Sequence, residues 1–313
     1  MMTQTSLAPR PRREQSRIPV PYDQGMVTTR HRFALRTWSR QLVSPLRTVI
    51  DRVNRRTSVT DERAYTDVCE HAARDPAMFA SFRRHPAYVR TLEHVTRDQG
   101  SEYLQIALEQ VPAFVPVLDR FRENDRLGGP KTYEYGEHGQ FAPTTLRYVK
   151  VLSDLVTHFG SLDGLRIIEI GAGYGGQCAV TNVPFRPSSY ALVDLEPCLA
   201  LQKTYLSQLG IASVHFLSAN TLPTDGTYDL VVSNYAFSEC VREVQEDYLA
   251  RVLRRASRGY LTCNWISPRG FRSLSPNELL KAIPGSRFLP EIPKTAEGNR
   301  IWVWDFAGGA PEP

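Results

Sequence analysis

A chain of 313 residues with 42% hydrophobic and 23% charged positions is long and apolar enough to bury a sizeable core, which excludes disorder of the whole and allows one large domain or two modest ones. The net charge of +5 is unevenly placed: residues 1–60 carry 12 Arg, no Lys and 3 acids, so the rest of the chain is net acidic, which argues against a nucleic-acid enzyme with a basic stripe on its folded body. The five cysteines are scattered without a C-x-x-C pair and no apolar run reaches membrane-span length, so a reduced, soluble, cytoplasmic protein is expected.

Residues 1–30, rich in Pro, Arg, Gln, Ser and Thr, hold too little apolar surface to offset the entropy of ordering and are expected to be a disordered basic arm. A helical region is predicted over 31–127. It opens with Leu35, Trp38, Leu42 and Leu46 at helical spacing among arginines, a pattern that fits a helix docked on its own domain better than one lying on a membrane. Helix starts are expected at Ser58 or Thr60 and at Asp75 before Pro76. Val111, Phe114, Val115, Val117 and Leu118 read as core, with Pro112 and Pro116 breaking any long helix. Over 128–160 a loop dense in glycine and aromatic residues leads into a helix from Pro143, whose Leu146, Val149, Leu152 and Val156 recur every three or four residues.

From 161 to 308 strands alternate with helices. Strands are predicted at 165–170, 190–195, 214–219, 228–234 and 259–265, with one helix over 197–209 and another keeping Val241, Val244, Tyr248, Val252 and Ala256 in register. The connection NTLPTDGT is too short for a full helix, a last helix starts near Ser275 and Pro276, and SRFLPEIP and NRIWVWDF read as a terminal hairpin. The predicted fold class is α/β, a Rossmann-like parallel sheet with a C-terminal antiparallel hairpin, preceded by a helical N-terminal region.

The segment EIGAGYGG follows the first strand and satisfies G-x-G-x-x-G through Gly171, Gly173 and Gly176. Such a loop is shared by NAD, FAD and S-adenosylmethionine sites. Glu169, two residues before the first glycine, would repel a pyrophosphate but attract the cationic methionyl end of S-adenosylmethionine. Asp194 closes the next strand, where a carboxylate can accept both ribose hydroxyls. Asn220, after the third strand, is a candidate for the adenine edge. The cofactor-binding set is then Glu169, Gly171, Ala172, Gly173, Asp194, Leu195 and Asn220, with Asn234 at the end of the fourth strand and Arg147 as a partner for the cofactor's carboxylate.

IIEIGAGYGGQ, SNYAFSE (233–239) with QEDYL, GYLTCNW and the preceding PTTLRYVKVLSDL (143–155) resemble a bacterial sugar O-methyltransferase family, over roughly residues 128–265. The resemblance implies a class I methyltransferase sheet, S-adenosylmethionine as cofactor and a glycosyl hydroxyl as acceptor. A sugar hydroxyl is a poor nucleophile at neutral pH, so a general base is expected near the ends of the parallel strands. Glu239 is the first candidate and His138, in a loop able to fold over the cofactor, the second; Tyr235 and Tyr133 are candidates for the acceptor pocket. No His/Asp cluster has metal-ligand spacing. An NAD-linked sugar reductase or epimerase and a non-catalytic binding protein are the rival readings.

Overall fold

The computed structural model describes residues 57–306, so the basic arm and the Leu35–Leu46 pattern lie outside the described residues. Five short apolar runs, bounded by polar turns, become the parallel strands β1 (Arg166–Ile170), β2 (Ser189–Asp194), β3 (Val214–Ser218), β4 (Leu230–Asn234) and β5 (Arg258–Cys263). β1, β2, β4 and β5 are buried along most of their length, as expected of strands covered by helices on both faces. The terminal hairpin is β6 (Arg287–Pro290) and β7 (Arg300–Asp305); β7 inserts antiparallel between β5 and β6, giving the order β3-β2-β1-β4-β5-β7-β6. This is the predicted fold class, with the ends of the five parallel strands within two residues of those expected. The order reverses between β1 and β4, so the carboxyl ends of these neighbours open a crevice at the switch point.

The helices named below are α1 (Arg63–Arg74), α2 (Pro86–Thr91), α3 (Arg97–Gln110), α4 (Pro143–Phe159), α5 (Gly176–Thr181), α6 (Glu196–Gln208), α7 (Arg242–Arg251) and α8 (Pro276–Ala282). Strand alternation sends Ile167, Leu192, Val232 and Val303 into one core with α1, α3, α4, α5 and α6. Ile168, Val193, Val231 and Trp302 enter the opposite core with α7 and α8. The N-terminal helices thus share a continuous core with one face of the sheet. They also grip the glycine loop. Arg83 is 1% exposed, its guanidinium lies 4.6 Å from the Tyr174 ring centre, and it donates to Glu93 at 2.6 Å and to the Asn124 carbonyl at 3.0 Å. Asn124 in turn donates to the Tyr174 hydroxyl at 3.1 Å.

Three local expectations are corrected. The helix expected to start at Ser58 or Thr60 starts at Arg63. Residues 57–60 instead make a bend and a turn tied to the segment after Glu239 by the antiparallel bridge of Ser58 with Cys240: Val59 donates its backbone N–H to the Glu239 carbonyl at 3.0 Å and Val241 donates to the Thr57 carbonyl at 2.9 Å. Val115 is 51% exposed, because Pro112–Val117 winds as a 3₁₀ turn of period three, which rotates Val115 away from the face that Phe114 buries. The helix predicted to run from Val241 to Ala256 ends at Arg251, where Val252 leaves helical geometry at φ −124°, and Leu253–Arg255 makes one 3₁₀ turn. Elsewhere the capping signals act as read: Asp75 accepts the Ala77 N–H at 2.9 Å, and Ser275 with Glu278 forms a capping box on α8.

Candidate active site

A cavity of about 610 Å³ lies at the carboxyl ends of β1, β2 and β4. Its floor is the glycine loop. Gly171 and Gly173 have φ of +70° and +59°, the left-handed region that favours glycine. A Cβ on Gly171 would lie 2.1 Å from the Ala236 Cβ, and one on Gly173 would lie 2.7 Å from Leu92, so the neighbours that demand glycine are protein atoms beside the loop.

Glu169 is 2% exposed and accepts the Tyr190 hydroxyl at 2.8 Å. It caps no helix. Burial pushes its carboxyl up to about 8, with the Tyr190 hydrogen bond pulling the other way. Asp194 accepts the Leu195 N–H at 2.8 Å and the Gln202 amide at 2.9 Å, and Gln202 also donates to the Gly173 carbonyl at 3.0 Å. One buried glutamine on α6 therefore ties the end of β2 to the glycine loop. Burial raises Asp194 to about 6 despite these bonds.

Asn234 ends β4 with both its side-chain oxygen and nitrogen buried and without a hydrogen-bond partner. Leaving a buried amide unpaired costs about 1–3 kcal/mol, so the position is built for a ligand that both donates and accepts. Arg147, on α4, is 7% exposed; its Nη2 reaches only the Leu92 carbonyl, at 3.4 Å, its Nε has no partner, and among the described residues no carboxylate pairs with it. A buried guanidinium facing a cavity without a counter-ion calls for an anion.

Tyr235 takes φ +70° and ψ −34°, a backbone state that costs a non-glycine residue about 1–3 kcal/mol and persists where the surroundings impose it. Its hydroxyl donates to Glu291. Burial, then the Glu291 carboxylate, holds that phenol above its ordinary range. Glu239 sits in the 3₁₀ turn Ala236–Glu239, 7% exposed, and accepts the Asn264 amide at 2.7 Å. Burial raises its carboxyl above the ordinary carboxylate range.

The cavity gathers Arg147, Glu169, Gly171, Ala172, Gly173, Asp194, Leu195, Asn220, Asn234, Tyr235 and Glu239 from the predicted set. His138 and Tyr133 are not brought to it. Their loop is pinned elsewhere: Arg122 donates to the His138 carbonyl at 2.7 Å and to the Gln140 carbonyl at 3.0 Å and stands 4.8 Å from the Phe141 ring centre. His138 lines a separate groove beside α3 with Leu104, Leu108 and Tyr135. In its stead His94 lines the main cavity, its imidazole held below the ordinary range first by burial and then by Arg147. Sequence reasoning also missed Gln202, Asn264, Thr295 and Asn299. Only Gln202 left a trace, as a polar residue on the face of α6 that otherwise buries Cys198, Leu201 and Tyr205.

No known family profile matches this chain, and no curated protein does. Several solved structures are similar to parts of it at low identity. PigF with SAH is 15% identical, over 88% of this chain and 71% of its own, with a TM-score of 0.39. The mitomycin 7-O-methyltransferase MmcR is 19% identical over 51% of this chain, with a TM-score of 0.36, and this chain spans 56% of its length. The ribosomal protein L11 methylase from Lactobacillus delbrueckii subsp. bulgaricus is 12% identical over 51% of this chain and 80% of its own, with a TM-score of 0.36.

Proposed function

We propose that this chain binds S-adenosylmethionine and transfers its methyl group to a hydroxyl of a sugar. The observation that carries the cofactor half is the convergence, in one cavity beside the glycine loop, of an unpaired buried guanidinium, an orphaned amide and a buried acid: Arg147, Asn234 and Glu169. An α-amino acid zwitterion satisfies all three. Its carboxylate would pair with Arg147, its ammonium would meet Glu169, and Asn234 can both donate to the first and accept from the second. Asp194 would hold the ribose hydroxyls, and Leu195, Ala219 and Asn220 would flank the base. When bound, the sulfonium supplies an electrophilic methyl group. A dinucleotide would set a pyrophosphate beside Glu169, which disfavours the NAD-linked reading.

The sugar half is supported by the neutral polar and aromatic lining contributed by Gln99, Tyr103, Asn264, Thr295 and Asn299, groups suited to hydroxyl donors and acceptors, and by the PTTLRY and SNYAFSE segments. Glu239 is the proposed base. Asn264 fixes one of its oxygens and leaves the other free to take the proton of the attacking hydroxyl, and a carboxyl raised by burial is the stronger base once ionised. The residues otherwise act by alignment, holding the acceptor oxygen in line with the methyl group. Incubation with isotope-labelled S-adenosylmethionine and a panel of free, nucleotide-linked and polymeric sugars tests the proposal. Label appearing on a sugar hydroxyl supports it; binding of the cofactor with transfer only to nitrogen or carbon acceptors would remove the sugar half.

A further inference from the structure

The connection between β6 and β7, residues 291–299, folds back over the cavity and carries a hydrogen-bond relay into it. Glu291, 7% exposed, accepts the Tyr235 hydroxyl on one oxygen and, on the other, the Thr295 N–H at 3.0 Å and the Thr295 hydroxyl at 2.6 Å. Asn299 donates its amide to the Thr295 oxygen at 2.9 Å. Trp265 pins the same loop by donating to the Gly298 carbonyl at 3.0 Å. Tyr235, Thr295 and Asn299 all line the cavity.

Proton direction in this relay is forced. A carboxylate only accepts, so both hydroxyl protons point to Glu291. Thr295, its proton committed, can only accept from Asn299, which fixes the Asn299 amide with its nitrogen inward and its Oδ1 left over. Tyr235 and Thr295 face each other at 3.3 Å with no proton left between them. What the relay offers the cavity is therefore the lone pairs of Tyr235 Oη and Asn299 Oδ1, beside the second amide proton of Asn299; at Tyr235 it offers an acceptor alone.

We propose that this relay is the acceptor-reading wall of the site, taking a neutral sugar through two hydroxyls that donate to Tyr235 and Asn299, with Glu291 as the positioning residue that orients both. The proposal rests on the sugar reading above and narrows it: a carboxylate or an ether oxygen set against Tyr235 Oη would meet lone pairs with no proton between, and is disfavoured there against a hydroxyl.

The test uses the full chain loaded with S-adenosylhomocysteine and observes, by saturation-transfer NMR, the methyl glycosides of glucose, galactose and mannose beside their per-O-methylated forms. At least one free glycoside is expected to bind and its ether not to. Glu291→Gln and Asn299→Ala are each expected to weaken that glycoside about tenfold while the affinity for S-adenosylhomocysteine changes by less than about twofold. Retained cofactor binding reports a folded site, and should Glu291→Gln lose it, Asn299→Ala decides. A free glycoside bound equally well by both variants, or an ether bound as well as its parent, overturns the wall and leaves the sugar reading standing. Cofactor binding with no glycoside bound by the unaltered protein overturns both.

Discussion

Two carboxyls at strand ends face the cavity with protonation raised by burial, Glu169 to about 8 and Asp194 to about 6. If the methionyl ammonium lies against Glu169, binding favours its ionised form, so at pH 7 the cofactor must expel a proton. Affinity for S-adenosylhomocysteine is then expected to rise from pH 6 to pH 8 and to level above about 8, and Glu169→Gln to flatten that upper rise; calorimetry in buffers of different ionisation enthalpy would read the proton release directly. A flat profile in the unaltered protein would detach Glu169 from the ammonium. Asp194→Ala is expected to weaken the same ligand by about 1–3 kcal/mol, and no loss would remove Asp194 from the ribose. Both acids were legible in the sequence because each stands at a fixed offset from a local signal, the glycine loop or the end of the next strand. Gln202, Glu291, Thr295 and Asn299 were not, because what places them is a partner far along the chain: Gln202 meets a carbonyl 29 positions away and Glu291 a hydroxyl 56 away. His138 lies away from the cavity for the same reason in reverse, since nothing local announced that Arg122 would hold its loop elsewhere.

Among the elements, those specified by local hydrophobic period and by capping residues came out as read, the parallel strands to within two residues and α4 and α8 from their first residues. The errors fell where tertiary contact overrides local preference. Residues 57–60 are not helical because Ser58 bridges Cys240 and Val59 bonds the Glu239 carbonyl, and the apolar period past Arg251 survives as burial of Val252, Leu253 and Ala256 although the helix has ended. The glycine loop is likewise an element with a distant support. Its Tyr174 is clasped by Arg83, whose partners Glu93 and Asp125 are buried with it. Removing one member of a buried charge network leaves the others unpaired, so Arg83→Ala is expected to cost about 3–5 kcal/mol of stability, measured by chemical denaturation. A loss below about 1 kcal/mol would show that the loop does not depend on this clasp.

For the molecule as a whole, the sheet order follows from the sequence only in part. The alternation of strands and helices predicts a parallel sheet, but the insertion of β7 between β5 and β6 is a tertiary fact, resting on Trp302 and Trp304 entering the core beneath α7 and α8. That order places the switch point, and with it the cavity, at β1 and β4. Every residue named in the site lies at or beyond position 57, so deletion of residues 1–50, which hold much of the excess positive charge, is expected to leave the affinity for S-adenosylhomocysteine within about twofold and to leave association with anionic vesicles unchanged. Loss of vesicle binding would assign the arm to a membrane surface. The most direct test of the proposal is a pair of calorimetric titrations of the full chain, one with S-adenosylmethionine and one with NAD. Saturable binding of the first at one site per chain, abolished when Arg147 and Asn234 are both replaced by alanine, with no heat from the second, is the predicted result; binding of NAD and none of S-adenosylmethionine would contradict it.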